Sequence, residues 1–431
     1  MTIPIGSFIK LKRMELNLSQ EQLCEGICAS SYLSRIENNK LIPDGEIYRL
    51  LLERLGLDYN DLIREADSVD EEIEDWYREL LKGKYTELMG FAPAERDIED
   101  LKRRADLVGG ETGFKFRAVY CRYLLNRGRL EEATSLLGQL GQVIPQEANR
   151  AFFIYTNVLM FHYMMRDNYE PAIQAGLELM KVKGFAQLAD EEEVGIFFYN
   201  LALSYSNLNR FKMAREYAKQ ALDLFNNGYC LERALSTLLL LGICLNNMQE
   251  WNEAMHVYEL AEKVLRYLPE NFHSYYLGKI NNNRGNCMEA QGKYQEALAY
   301  YQDALKYIHG RDRIIPFLNM IYCCYEEGKY DEAKKWMVEA HKVGKESVQE
   351  IYRLQLEVFS VLLSEEEPSI REIVRIQTQC LDFFMANRQL QLAVRYSKLF
   401  LGLYEKKRYY KSANEMYRMI RVSESEMREG G

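Results

Sequence analysis

The sequence lacks most of what an enzyme or a metal site requires. Its five histidines stand singly along 431 residues, with no serine, cysteine or second histidine at a catalytic or metal-binding spacing. Cys24 and Cys28 lie four residues apart, but no second cysteine or histidine pair lies nearby, so buried thiols explain them better than zinc. We therefore expect no enzymatic activity, no metal and no cofactor.

Long hydrophobic runs and positive charge are also scarce. The most apolar stretch, 238–245, is far too short to cross a bilayer, and residues 1–6 have neither the basic start nor the apolar run of a secretory signal. The odd number of cysteines, nine, agrees with reduced thiols, so we expect a cytoplasmic protein without a membrane segment. The formal net charge of −9 argues against a chain that coats nucleic acid non-specifically, but not against a small DNA-reading module within it.

Proline is rare too, with eight residues, while 48% of the residues are hydrophobic, which suits a chain of packed helices. The stretch 279–306 shows how such helices are organised, because two amphipathic segments flank a tight turn at residues 291–293. Gly285 and Ala297 are small where the two helices would cross, so the backbones can approach closely. Such a hairpin cannot bury its apolar face alone and needs copies on either side.

The chain supplies those copies. A turn followed closely by alanine recurs at intervals of 36 to 43 residues. The anchoring alanines are Ala214, Ala254, Ala297 and Ala333, with weaker copies at Ala133, Ala172 and Ala393. The small and aromatic residues around them resemble the tetratricopeptide repeat. We therefore predict an all-α fold in which a right-handed tetratricopeptide-repeat superhelix follows a different N-terminal domain.

The N-terminal residues carry a second pattern. An amphipathic helix at 5–16 precedes Ser19, which stands as an N-cap with Gln22 at the capping-box position. A glycine turn leads into another helix, and two short helices near 47–55 and 59–66 would complete a five-helix domain. The segment SQEQLCEGICASSYLSRIENNK resembles the helix-turn-helix of the phage-repressor-like Xre/Cro family. This resemblance implies that residues 1–66 bind DNA.

The chemistry of this segment agrees with that role. Short donors and one guanidinium face the major groove, where they can meet base edges. These side chains are Ser30, Ser31, Ser34 and Arg35. Gln20 would meet a phosphate at the start of the preceding helix, and Asn39 and Lys40 would add phosphate contacts. Because the local charge is nearly balanced, one module should bind weakly, and a homodimer is expected. A helical domain that binds only protein is the alternative.

Between the two patterns the chain turns acidic. Residues 67–110 are interpreted as a linker helix, a turn at 82–85 and a degenerate first repeat, which lead into a peptide-sensing repeat domain at 111–431. The glycine-rich residues 109–113 are interpreted as a loop, without the Gly-Lys-Ser/Thr ending that binds phosphate. The repeat spacing loosens towards the end, which predicts an irregular cap near 370–422.

Polar amides recur at one register of the repeats. Counting back the same distance from three anchor alanines gives Asn200, Asn283 and Asn319. Asparagine is a poor helix former, so the recurrence needs a reason, and its amide can bracket the backbone of an extended peptide. The predicted peptide-binding residues are Asn157, Tyr199, Asn200, Lys279, Asn282, Asn283, Asn319 and Tyr322. The alternative is that the asparagines hydrogen-bond between adjacent repeats or face solvent.

A helix-turn-helix module joined by a linker helix to such repeats resembles the peptide-pheromone regulators of Gram-positive bacteria, the Rap–NprR–PlcR–PrgX group. The resemblance covers nearly the whole chain. It implies a cytoplasmic quorum-sensing transcription regulator, usually a homodimer, whose repeats bind a short signalling peptide and thereby modulate binding to a double-stranded DNA operator. The alternative is a tetratricopeptide scaffold for a protein partner, including a response-regulator-directed activity as in the phosphatase members of the group.

Overall fold

The computed structural model describes residues 5–38, 40–41, 43–56, 59–88, 97–108, 110–146, 148–344 and 349–429. Every regular element within these ranges is a helix, so the all-α prediction is confirmed. None of the described helices is long and apolar enough to cross a membrane.

Four short helices build the N-terminal domain. They are α1 (Ile5–Glu15), α2 (Gln20–Cys24), α3 (Ser30–Glu37) and α4 (Gly45–Arg54). The predicted capping box is present, since Ser19 Oγ accepts the Gln22 N–H at 3.1 Å and Gln22 Oε1 accepts the Ser19 N–H at 2.7 Å. Gly26, at φ +69°, supplies the left-handed residue between α2 and α3. Side chains from all four helices form one fully buried core: Ile9, Leu23, Leu33, Ile36, Leu51 and Leu52.

The linker differs from its prediction. One continuous helix, α5 (Tyr59–Leu88), replaces the short helix at 59–66, the linker helix and the turn at 82–85, so the boundary expected at residue 66 falls inside it. The prediction of a turn at 82–85 was wrong, because a single glycine in a helix costs only about 1 kcal/mol and tertiary packing easily offsets that cost.

One further correction follows α5. Helix α6 (Ile98–Val108) comes next, and helix α7 (Gly110–Asn126) already includes 110–113, where a loop was predicted. Residue 109 lies outside the described residues.

From α7 the chain forms helix hairpins. The remaining members are α8 (Leu130–Gly141), α9 (Arg150–Met165), α10 (Tyr169–Met180), α11 (Glu191–Asn207), α12 (Phe211–Asn227), α13 (Leu231–Asn247), α14 (Trp251–Leu265), α15 (Glu270–Ala290), α16 (Tyr294–Leu305), α17 (Ile314–Glu326) and α18 (Tyr330–Gly344). Each anchor alanine from Ala133 to Ala333 lies in the second helix of its hairpin and is completely buried. The predicted repeats are therefore confirmed.

A common turn closes these hairpins. One residue at each turn has positive φ. The N–H of the next residue donates to a carbonyl near the end of the first helix, as Lys293 N–H does to Met288 O at 2.9 Å. The residues with positive φ are Gly128, Asp167, Asn209, Gln249, Gly292 and Gly328. This geometry reverses the chain while satisfying the carbonyls at the helix end.

Glycines allow the paired helices to approach closely. A Cβ built on Gly285 of α15 would lie 2.5 Å from Cε1 of Tyr301 on α16. Gly195 and Gly242 occupy the same kind of position, against Phe225 and Tyr258. The small residue predicted at the crossing is thus required, although the group that fills the space is an aromatic ring of the partner helix.

Four further helices end the chain: α19 (Glu350–Leu362), α20 (Ile370–Ala386), α21 (Leu390–Lys406) and α22 (Tyr410–Glu429). The last three cover the predicted cap, but α20, α21 and α22 are joined by turns of the repeat type, with Arg388 and Arg408 at positive φ. The packing divides the chain into two compact units, residues 1–190 and 191–431. The domain boundaries predicted from the sequence remain predictions.

Candidate DNA-binding and peptide-binding sites

Helix α3 presents one polar face and one apolar face. Leu33 and Ile36 are fully buried in the N-terminal core, whereas the opposite side of the helix is accessible. Ser30, Ser31 and Arg35 are exposed there, and Ser34 is half-buried. The side chains predicted to meet base edges therefore lie together on one surface, and Arg35 forms no ion pair with any described residue.

A buried carboxylate joins the first three helices. Glu37, which is only 2% exposed, receives two hydrogen bonds from Arg13, with Nε to Oε1 at 2.6 Å and Nη2 to Oε2 at 3.0 Å. Gln20 Nε2 donates to the same Oε2 at 2.7 Å. The hydrogen bond to Glu37 raises the pKa of Arg13 despite the opposing effect of burial. Arg13 and the Gln20 amide are thus committed within the domain, which changes the role expected of Gln20 from a phosphate donor to a positioning residue.

The end of α3 also uses one of its polar side chains internally. Asn38 Nδ2 donates to Ser34 O at 2.7 Å and caps the helix. Lys40 is exposed and is available for a phosphate. Asn39, the other predicted phosphate contact, lies outside the described residues.

Helix α5 is docked on the first repeats through buried charges. Glu74 accepts from Arg150 Nη2 at 2.7 Å and from Lys115 Nζ at 3.3 Å. Burial opposes ionisation of Glu74, but its hydrogen bonds and charge interactions with Arg150 and Lys115 prevail and lower its pKa. Trp76 packs between the rings of Phe116 and Tyr123, with centroids 6.0 and 5.7 Å away. One continuous helix therefore connects the N-terminal domain to the first repeats.

The first unit contains one buried amide without a partner. Asn157 on α9 is 3% exposed, and neither its Oδ1 nor its Nδ2 has a hydrogen-bond partner among the described residues. An unpaired buried amide costs free energy, so the position favours a ligand that supplies both a donor and an acceptor.

In the second unit, several predicted residues remain available. Asn200 on α11 is 7% exposed, and Oδ1 of Asn282 on α15 is buried without a hydrogen-bond partner among the described residues. Asn283 is half-buried. Lys279 is exposed, with its Nζ 2.6 Å from the hydroxyl of Tyr275.

The half-buried Tyr199 lies in the same unit, on α11. Burial raises the pKa of its hydroxyl to about 12, so the group stays a neutral donor.

Two residues predicted to contact the peptide, Asn319 and Tyr322, already interact with other side chains of the protein. Asn319 on α17 donates from Nδ2 to Asn286 Oδ1 at 3.1 Å and accepts at Oδ1 from Arg395 Nη1 at 3.1 Å. The Arg395 guanidinium also lies 3.7 Å from the centroid of the Tyr322 ring. In this arrangement both residues serve intramolecular packing, which is the alternative role for Asn319. The sequence could not indicate this, because Arg395 comes from a helix 76 residues further along the chain.

Comparison with known proteins agrees with this organisation. Residues 9–62 match the helix-turn-helix family, and residues 198–226 and 278–308 match tetratricopeptide-repeat families. The transcriptional activator NprA of Geobacillus stearothermophilus is 27% identical over 409 residues, which cover 92% of this chain and 97% of the relative. The resemblance to the Rap–NprR–PlcR–PrgX group is confirmed.

Solved structures of this group share the fold. A Rap protein complexed with competence and sporulation factor matches with a TM-score of 0.66 at 16% identity, covering 85% of this chain and all of that one. The apo form of the quorum sensor NprR from B. thuringiensis matches with a TM-score of 0.63 at 17% identity, covering 83% of this chain and 99% of that one. At these identities the likeness shows the fold alone.

Proposed function

We propose that this chain is a cytoplasmic transcription regulator that binds a DNA operator through α3 and responds to a short signalling peptide bound by its repeats. The observation that carries the proposal is the way in which α5 joins the N-terminal domain to the repeats. An exposed polar face on α3 belongs to the same chain as repeats in which buried amide atoms of Asn157 and Asn282 have no partner among the described residues, and one docked helix, α5, connects the N-terminal domain to the first repeats. NprR, whose fold is shared, has been solved in complex with its cognate peptide NprX, which supports a peptide as the signal.

The first prediction tests the DNA-reading face. Arg35→Ala should weaken binding to the selected operator by about 1–3 kcal/mol, because a guanidinium on a base edge supplies discrimination at that position. Lys40→Ala is the matched control and should weaken all sequences alike, since a phosphate contact carries no sequence information. Fluorescence anisotropy with an operator selected in vitro would measure both. Wild-type affinity in a folded Arg35→Ala protein would remove α3 from the interface.

The second prediction concerns assembly. With Arg13 bound to Glu37, the domain has even less free positive charge than its composition suggests, so a single module should bind DNA weakly. We therefore expect a homodimer that reads two half-sites about one helical turn or a multiple apart. Light scattering at micromolar concentration should give twice the chain mass of 50.7 kDa. A monomer, both alone and on the operator, would contradict this expectation.

The third prediction tests the peptide site in the second unit. A peptide backbone would pair with the Asn200 amide, so Asn200→Ala should leave peptide groups unpaired and cost about 1–3 kcal/mol of binding free energy. Asn283→Ala should act in the same direction. Calorimetry with a short hydrophobic synthetic peptide would measure both.

Asn319→Ala is the contrasting variant for that experiment. Its amide is already paired with Asn286 and Arg395, so the substitution should lower stability more than peptide affinity. If Asn200→Ala and Asn283→Ala bind peptide as the wild type does, the asparagines belong to repeat packing. Binding of a folded protein partner, with no binding of any peptide, would favour the scaffold alternative.

A further inference from the structure

Helix α21 makes contacts far outside its own hairpin. Asn209, in the turn between α11 and α12, donates from Nδ2 to Arg388 O at 3.2 Å and accepts at Oδ1 from Gln391 Nε2. Asn209 is only 3% exposed, and 179 residues separate it from Arg388. The start of the late helix α21 is thus fastened to an early turn of the same unit.

About one helical turn further along, α21 contacts the middle of the unit. Arg395 reaches Glu289 on α15, with Nη2 3.2 Å from Oε2, while it also bonds to Asn319 and covers Tyr322 on α17. The side chains of Arg395 and Glu289 are 15% and 13% exposed. Tyr301 Oη lies 2.9 Å from the same Glu289 oxygen and closes the network from α16.

These two groups of contacts lie on one rigid segment. Four residues along a helix span about 6 Å, so Gln391 and Arg395 bring the turn before α12 close to the first helices of the α15–α16 and α17–α18 hairpins. Such closeness requires the hairpins between them to follow a tight curve, because hairpins of this kind otherwise contact only their sequence neighbours.

The chemistry of the contact is also unlike ordinary core packing. A buried ion pair contributes little net stability, because desolvation offsets its Coulomb attraction, but removing one partner leaves the other charge unpaired at high cost. The free energy therefore differs strongly between an arrangement in which both charges are paired and one in which a buried charge is left unpaired. Arg395 and Glu289 therefore suit a contact that is either made or broken as a whole.

We propose that α21 is a clasp that holds the hairpins from α11 to α18 in a closed arrangement. Arg395 fastens it to α15 and α17, and Asn209 fastens it to the turn before α12. In the closed arrangement the amide of Asn319 and the ring of Tyr322 are taken, so a ligand reaches them only when the clasp opens. The proposal concerns conformation and does not depend on the nature of the ligand.

Hydrogen exchange of the full-length chain tests the clasp without any ligand. Arg395→Met keeps much of the side-chain volume but removes the charge, so backbone amides near Asn209 should exchange about tenfold faster or more, although they are distant in sequence. Arg375→Met is the matched control, because Arg375 is exposed on α20 and, among the described residues, its guanidinium hydrogen-bonds only to Gln379, four residues away. It should leave exchange near Asn209 unchanged.

The reciprocal variant keeps the proposal testable even if Arg395→Met folds poorly. Asn209→Gly retains a residue suited to φ +60° while it removes the side-chain bonds to α21. Exchange should then rise in α21 and α17, by reciprocity of the coupling. Gln249→Gly, at φ +64° in the equivalent turn and with an exposed side chain, is its control. If Asn209→Gly changes exchange only within its own turn, as the control does, the clasp proposal is wrong.

Discussion

Glu37→Ala should destabilise the N-terminal domain by about 3–5 kcal/mol, the largest effect we expect from a single substitution. The change leaves Arg13 without its carboxylate in a site where the arginine side chain is only 13% exposed, and breaking a buried pair from one side is strongly unfavourable. The Gln20 amide loses its acceptor as well. Hydrogen exchange of residues 5–56 in the full-length chain should therefore rise by two orders of magnitude or more, since about 1.4 kcal/mol is a factor of ten.

Glu53→Ala provides the comparison within the same domain. Glu53 pairs with Arg49 at 3.1 Å on the surface of α4, where both side chains are about half exposed. Such pairs contribute about 0–1 kcal/mol, so exchange should barely change. Equal exchange in the two variants would show that the Glu37 network does not hold α1, α2 and α3 together. Operator binding should fall with Glu37→Ala, because the orientation of α3 depends on that network.

The second large effect is expected at the crossing of α15 and α16. Gly285→Ala places a methyl group 2.5 Å from the Tyr301 ring, and that ring is completely buried and cannot move aside. Overpacking of this kind typically costs about 1–3 kcal/mol. Urea unfolding followed by circular dichroism should therefore give a lower midpoint.

Gly402→Ala is the control and should have the opposite sign. Gly402 lies within α21, four residues before its end, and an added Cβ would meet no atom within 4 Å. Alanine is the better helix former by about 0.5–1 kcal/mol, so this variant should be slightly more stable. A Gly285→Ala protein as stable as Gly402→Ala would mean that α15 and α16 separate without penalty.

The sequence alone determined the local organisation of this protein. The alternation of apolar and polar residues at the helical period, the anchor alanines, the Ser19 capping box and the turns before each second helix all act over a few residues. Interactions between residues so close in sequence can be predicted from the sequence alone. The same holds for the exposed polar face of α3, because Ser30, Ser31 and Arg35 alternate with the residues that α3 buries.

The local signals failed where tertiary packing outweighed them. The glycines near 83 and 110 predicted a turn and a loop, yet both segments are helical. A glycine weakens a helix by only about 1 kcal/mol, and burial of Trp76 and of the charges around Glu74 decides the outcome for α5.

Only the tertiary structure decided which polar side chains are free. Gln20 is predicted to meet DNA from its position at a helix start, and Asn319 to meet a peptide from its register. Their amides are instead bonded to Glu37 and Arg395, 17 and 76 residues away. Asn157, one position away from that register, is buried, and its amide has no partner among the described residues. Hydrogen bonds between distant segments depend on how whole helices pack, and no periodicity along the chain encodes that geometry.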